Sequence, residues 1–457
     1  MNGWKRYLSL TLSLVLLLGL LSLGSLAAKS GTPEAAVRVE SDPAGADIYL
    51  DGALYRPAVT PCSVPVEPGT HSLSVRMAGY DPYETTVQAG QSVSAHLWAT
   101  IPDGPNVRTI TVDRDDHGTA DARILKWEYY ERFIQNGEPR PEAEWYDGQP
   151  QSDYYPEWAY DAMTDGISLR EALCIAENDT GWYDAENQIR WHYVIEFAAE
   201  KLNSYGDKDF EPNVYYQGGS FTCYGRGSAA WINGEPLFMR YTDDGLVEDT
   251  AAKALWNGDG CFTINGDRDR DGTPDVTLAG REEIGWDGRQ NLSFLCSDVH
   301  VIGLDFASTM HVSMGKPFWQ PLNYFNLRDF YITGCRFSRD SSELDLPDRF
   351  FGTGLCQIYG ETAEGYGQAG TYDLDGFYLT GCEFRNELVG FIFSGSDMDY
   401  ARAKNLVIQG NHVVNGEILC AIRTRTPGTC GHTTARCPAP PTVRTASALR
   451  NTTVWRT

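Results

Sequence analysis

The chain has no C-x-x-C pair, no H-E-x-x-H and no G-x-S-x-G. The first absence removes the usual ligand spacing of a structural zinc site. The other two remove the helical zinc-protease motif and the serine elbow of α/β-hydrolases. Basic residues are scarce: 37 Lys and Arg stand against 62 Asp and Glu, a net charge of −25 that repels nucleic acid and anionic lipid. The 11 cysteines are odd in number and widely spaced, so they cannot all pair within one chain, and most read as buried small hydrophobes. His71, His96, His117, His192, His300, His311, His412 and His432 are scattered, with no triad partner in view. Long apolar runs are missing too, except one.

That run lies at the N-terminus. Lys5 and Arg6 precede apolar residues from Leu8 to Ala28, and Ser25-Leu26-Ala27 supplies the small residues a signal peptidase needs. Residues 1–28 are therefore expected to be a signal peptide, with an uncleaved membrane anchor as the alternative. The rest of the 457 residues is long enough for two or three cores, and is expected outside the cytoplasm, secreted or at the cell surface.

From 37 to 100, alternating runs (VRVE, ADIYL, HSLSVRM, YETTVQ, VSAHLW) are separated by Pro-Ala-Gly, Asp-Gly, Pro-Gly and Ala-Gly. This is the pattern of short antiparallel strands joined by tight turns, a small β-sandwich. Ser41, Pro43, Gly45-Ala46, Tyr49-Leu50-Asp51-Gly52, Thr60-Pro61, Pro68-Gly69-Thr70-His71 and Gly79-Tyr80 carry a resemblance to the PEGA domain. The resemblance implies a bacterial envelope module used for attachment or spacing. A linker, TIPDGPN, follows.

The segment 107–420 opens with a strand, VRTITV, and reaches DGISLREAL, where Ser168 and Glu171 form an S-x-x-E capping box at the start of an amphipathic helix. A repeat then sets in: VHVIGLDFAS, DFYITGCRFSRD, GFYLTGCEFRNE and NLVIQGNHVVNG. Its glycines, Gly303, Gly334, Gly381 and Gly410, are 31, 47 and 29 residues apart. A unit recurring with insertions is a solenoid signature: each coil leaves a bare apolar face and unpaired backbone that the next coil covers. The residues after the glycines (Leu304, Cys335, Cys382, Asn411) are expected to form a ladder, and the Ser168 helix to cover the first coil. The segment resembles the right-handed parallel β-helix superfamily, the pectate-lyase-like class of bacterial surface proteins. The expected fold is thus all-β: a PEGA-like β-sandwich followed by a right-handed parallel β-helix with an N-terminal capping helix.

Between strand-like runs lies GDRDRDGTPD. Asp267, Asp269, Asp271 and Asp275, with the Thr273 carbonyl, match the first part of a calcium loop, D-x-D-x-D-G-x-x-D, in which alternate carboxylates converge on one hard cation. Position twelve is Leu278 where an EF-hand has glutamate, so a structural Ca²⁺ turn in a β-protein is expected, with Arg268 and Arg270 directed into solvent. A solvated acidic turn is the alternative.

Catalytic residues are not identifiable. Asp397 and Asp399 share a strand face near Asp340, but glycoside hydrolysis needs two carboxyls flanking one bond, and no arginine matches a lyase base. The aromatic and acidic stretch 127–160, with Trp127, Trp145 and Trp158, offers rings for sugar contact or, alternatively, the core of an insertion packed on the solenoid. Residues 421–457 lack acidic groups and periodicity and read as a disordered, truncated or frame-shifted tail. The resemblances imply an exported surface or secreted protein that binds extracellular or cell-wall polysaccharide, or else a polysaccharide lyase or glycoside hydrolase on the same scaffold.

Overall fold

The computed structural model describes residues 36–116, 127, 130–138, 145–146, 149–150, 166–178, 183–184, 189–203, 205–217, 221–223, 225, 231–232, 235–236, 239–242, 245–248, 259–280, 291–307, 309–315, 327–338, 356–361, 370–385, 388–393, 398–414, 417–422 and 453–454. The N-terminal module holds two sheets. Cys62–Pro65, Ala36–Asp42 and Ser92–His96 form one; Ala53–Val59, Asp47–Leu50, Thr70–Arg76 and Tyr83–Gln88 form the other. Alternation along each strand delivers Val37, Val39, Ile48, Leu73, Val75 and Val87 to a shared core. One pairing departs from the antiparallel expectation. Ala36–Asp42 and Ser92–His96 run parallel, with Arg38 opposite Ser92. Tight turns enforce antiparallel pairing only on consecutive strands, and these two are the first and last of the module.

From Val107 to Ile422 the long-range strand pairing among the described residues is parallel. The chain visits three sheets in turn: Asp259–Asn265 in the first, Val276–Gly280 in the second, Asn291–Phe294 in the third, then Ser297–Ile302 in the first again. The second and third sheets each hold 6 strands, one per coil, and the first holds 8. At the edges of the first sheet lie Val107–Arg114, parallel, and Thr453–Val454, antiparallel. The third sheet ends on Glu417–Ile422, and the tail between it and Thr453 lies outside the described residues.

Straight register builds the core. Ile195, Ile264, Val301, Ile332, Leu379 and Ile408 lie opposite one another along the first sheet. In the second sheet the rings of Phe306, Phe337 and Phe384 stack at 4.8 and 5.1 Å. Burying each such side chain contributes roughly 1.5–3 kcal/mol. Helix α1, Leu169–Asn178, begins with the expected capping box: Ser168 N–H donates to the Glu171 carboxylate at 2.6 Å and Glu171 N–H to Ser168 Oγ at 3.3 Å. It buries Leu169, Ala172, Leu173, Ile175 and Ala176 in the same core as Val107–Arg114 and His192–Leu202, at the start of the stack.

The rung glycines align. Gly303, Gly334, Gly381 and Gly410 all have φ between 56° and 67°, a left-handed turn that costs a Cβ-bearing residue dearly. Each of the first three donates its N–H across one coil, to Thr333, Thr380 and Gln409 carbonyls. Behind them Leu304, Cys335, Cys382 and Asn411 form the expected buried ladder. Asn411 closes it by accepting from Cys382 N–H and donating to the Leu379 carbonyl, both at 2.8 Å.

This row of turns is also where the N-terminal module docks. Gln409 Nε2 donates to the Gly45 carbonyl at 2.7 Å and Thr380 Oγ1 to the Ala78 carbonyl at 2.9 Å. Gly79 sits directly against Thr333, Tyr80 places its hydroxyl over Gly381 and Gly334, and Met77 lies on Gly410. The segment read as a linker therefore connects two parts in direct contact.

Candidate functional site

Two features of the described residues carry candidate chemistry: the acidic turn, and a row of rings outside the first sheet. The turn leaves the core strand Asp259–Asn265 and returns as Val276–Gly280, and Leu278 is fully buried. The strand flanks expected from the sequence are present, and a helix-loop-helix is not. Oxygens of Asp267, Asp269 and Asp275 lie within 4.8 Å of one another. Asp271 and Thr273 are not in that set.

Backbone amides organise these carboxylates. Asp267 accepts from Asp271 N–H at 3.1 Å and Gly272 N–H at 2.9 Å; Asp275 accepts from Arg268 N–H at 2.7 Å and Asp269 N–H at 3.3 Å. The Asp271 carboxylate turns instead to Thr273 N–H, at 2.7 Å. Burial pushes the Asp267 carboxyl above its usual range despite those amides, and the charges of Asp271 and Asp269 act in the same direction. One expectation is overturned here. Arg268 does not face solvent: its guanidinium donates to the Ala198 carbonyl at 2.9 Å and to Asn213, fastening the turn to the preceding coil. Tertiary acceptors on the neighbouring coil win over solvent, a choice local alternation cannot encode.

On the outer face of the first sheet, Thr263, His300, Tyr331, Tyr378 and Val407 lie opposite one another. His300 and Tyr331 stack at 4.3 Å, and Tyr331 and Tyr378 at 4.2 Å. His192 meets His300 edge-on at 6.1 Å and shares a hydrogen bond with Thr263 Oγ1 at 2.9 Å. Burial lowers the His300 pKa and raises that of Tyr331, so both are neutral at pH 7. Sequence reading missed this row. The signal was available: His300, Tyr331 and Tyr378 each stand three residues before a rung glycine.

Other sequence candidates fare differently. Trp127 is buried against Tyr130 and Tyr193, with Arg108 over its ring at 4.7 Å, which fits an insertion core better than an open sugar platform. Trp158, Asp340 and Asp397, and the side chains of Trp145 and Asp399, lie outside what is described. Cys174, Cys223, Cys261, Cys296, Cys335 and Cys382 are buried, as small hydrophobes should be. No described helix is long and apolar enough to cross a membrane.

These observations define a class: a mostly β protein whose small two-sheet module sits on a capped, solenoid-like stack of parallel sheets. Within it, residues 34–102 match the PEGA domain family. No curated protein and no solved structure matches the chain. A PEGA domain followed by large parallel sheets is consistent with carbohydrate-scaffold proteins in general.

Proposed function

We propose that this is an exported bacterial protein, secreted or held at the cell surface, whose stack is a right-handed parallel β-helix of the pectate-lyase-like class that binds extracellular or cell-wall polysaccharide. Handedness follows from the near-universal right-handed crossover between parallel strands. The observation that carries the binding reading is the outward row His300, Tyr331, Tyr378. The stacked rings recur once per coil and turn their edges outward, with the last ring, Tyr378, at the end of the stack, a regular amphipathic row along which a polymer of repeating sugar units would lie. The N-terminal run that reads as an export signal supports the extracellular part of this proposal. Affinity electrophoresis against neutral and acidic polysaccharides tests it. Retardation weakened by Tyr331→Ala is expected; failure of every polymer to retard the protein would refute it. Release of reducing ends or unsaturated products would favour the lyase or hydrolase alternative.

A structural Ca²⁺ at the acidic turn belongs to the same proposal. Asp267, Asp269 and Asp275 offer converging hard oxygens, and the Asp271 carboxylate and Thr273 carbonyl are the ligands that would complete the shell. The fit is partial, because amides already occupy oxygens of all three converging carboxylates. A melting temperature raised by Ca²⁺, lowered by chelator and made indifferent by Asp269→Asn is the expected outcome.

A further inference from the structure

Where the N-terminal module meets the last coils, the seam opens into a cleft of about 470 Å³, within the roughly 300–1,000 Å³ typical of small-molecule sites. The module contributes Asp47, Tyr49 and Arg76, and the stack contributes Tyr378, Asn405 and Gln409. Tyr378 is the last ring of the outward row, so that row runs into the cleft. The Arg76 guanidinium lies over the Tyr49 ring, 4.7 Å from its centroid, and reaches Glu84 at 3.5 Å. Asn405, held at φ 50°, donates to Asp375 at 2.8 Å and is exposed.

We propose that this cleft binds a short run of neutral polysaccharide. Tyr378, stacked on Tyr331 on one side, and Tyr49, covered by Arg76 on one side, both line the cleft and offer it their remaining ring surface for sugar C–H groups, and Asp47, Arg76 and Asn405 exchange hydrogen bonds with hydroxyls. Sugars are amphipathic in this way: one face of a ring is apolar, and each hydroxyl both donates and accepts. The charge balance selects neutral over acidic polymers. The lone cationic group among these residues already shares its charge with Glu84 and faces the same cleft as Asp47, which leaves no positive excess for a uronate. The net charge of −25 opposes polyanions as well. This inference rests on the polysaccharide reading above and deepens it: the PEGA module becomes half of a binding site instead of a spacer.

The test uses the mature full-length chain and its Tyr49→Ala, Tyr378→Ala and Tyr378→Phe variants, each checked by circular dichroism. The probes are soluble xylan, β-glucan and galactomannan, with polygalacturonate and alginate as acidic arms. Expected is binding to a neutral polymer that weakens about tenfold or more in both alanine variants and survives in Tyr378→Phe, which keeps the ring. Neutral binding that is unchanged in Tyr49→Ala overturns the module's share of the site while leaving the polysaccharide reading intact. Binding confined to the acidic polymers overturns the neutral assignment. Absence of all binding overturns the functional reading and this inference together.

Discussion

Replacing Gly381 by alanine tests the seam between module and stack quantitatively. Two penalties coincide at this position. Its φ of 64° lies in the left-handed region, where a Cβ costs about 1–2 kcal/mol. An added methyl would also overlap the Tyr80 hydroxyl oxygen and come within 3.0 Å of the Tyr80 ring and of Pro43 Cγ. Tyr80 cannot swing away freely, because its hydroxyl end is buried in the seam, and that burial pushes the phenol well above its ordinary pKa. Overpacking of this kind adds about 1–3 kcal/mol. Gly334 is the internal control: its φ is 62°, but the nearest atom to a new methyl is the Tyr80 hydroxyl at an ordinary 3.5 Å. Gly334→Ala therefore carries the backbone cost alone. Urea unfolding midpoints, with limited proteolysis of residues 100–106 as a reporter of undocking, should rank Gly381→Ala clearly below Gly334→Ala. Adding Tyr80→Phe should recover part of the difference. Equal midpoints for the two glycine variants, or no recovery with Tyr80→Phe, would refute the docking argument.

Three further outcomes are expected. Burial pushes the Glu171 carboxyl up to about 7 from an ordinary 4.5; the folded state then favours the protonated form, so the stability this group contributes is fully present below pH 4.5 and is lost as pH rises through 7. Thermal melts of Glu171→Gln, which keeps the capping box, should lack that share of the decline, and a wild-type slope identical to the variant's would contradict the buried-acid account. Phe337→Ala removes the middle ring of the Phe306–Phe384 stack and should cost about 3–5 kcal/mol in denaturant unfolding; a loss under about 1 kcal/mol would mean the coils close over the cavity. Burial raises the thiols of Cys174 and Cys223 well above their ordinary range, so mass spectrometry after iodoacetamide should find them unmodified in the native protein and alkylated once unfolded.

Much of this architecture was legible because its determinants are local. A glycine forced to positive φ recurs at the same corner of the last four coils, so Gly303, Gly334, Gly381 and Gly410 announced those coils and the Leu304-to-Asn411 ladder behind them. Ser168 and Glu171 announced the helix start for the same reason. Two module strands escaped. Ala53–Val59 and Cys62–Pro65 carry Pro57 and end on Pro65, residues that argue against a central strand, and both prove to be edge strands, where a missing N–H is tolerated. Of the acidic turn, composition gave the carboxylates but not their company: Asp271 turns to the amide of Thr273, and Arg268 reaches back to the previous coil, to a carbonyl distant in sequence.

The seam was the least legible feature, although its residues had already been noticed. Pro43, Gly45 and Gly79-Tyr80 stood out as turn chemistry of the module, and turn chemistry accounts for them completely at the local level. The fold uses them a second time. Gly45 offers its carbonyl to Gln409, Gly79 leaves room for Thr333, and Tyr80 lies where a side chain on Gly381 would be. A glycine needed for its φ and a glycine needed for close approach look identical in one sequence, so the second role is invisible until both surfaces are in place. The same logic bears on function. Docking sets Tyr49 and Arg76 in the same cleft as Tyr378 and Asn405, so loosening the seam should widen the cleft without touching any residue that lines it. Gly381→Ala is then expected to weaken the proposed polysaccharide binding more than Gly334→Ala does, in proportion to undocking. If binding were to follow neither variant while proteolysis reported an open seam, the module would have no part in holding the polymer.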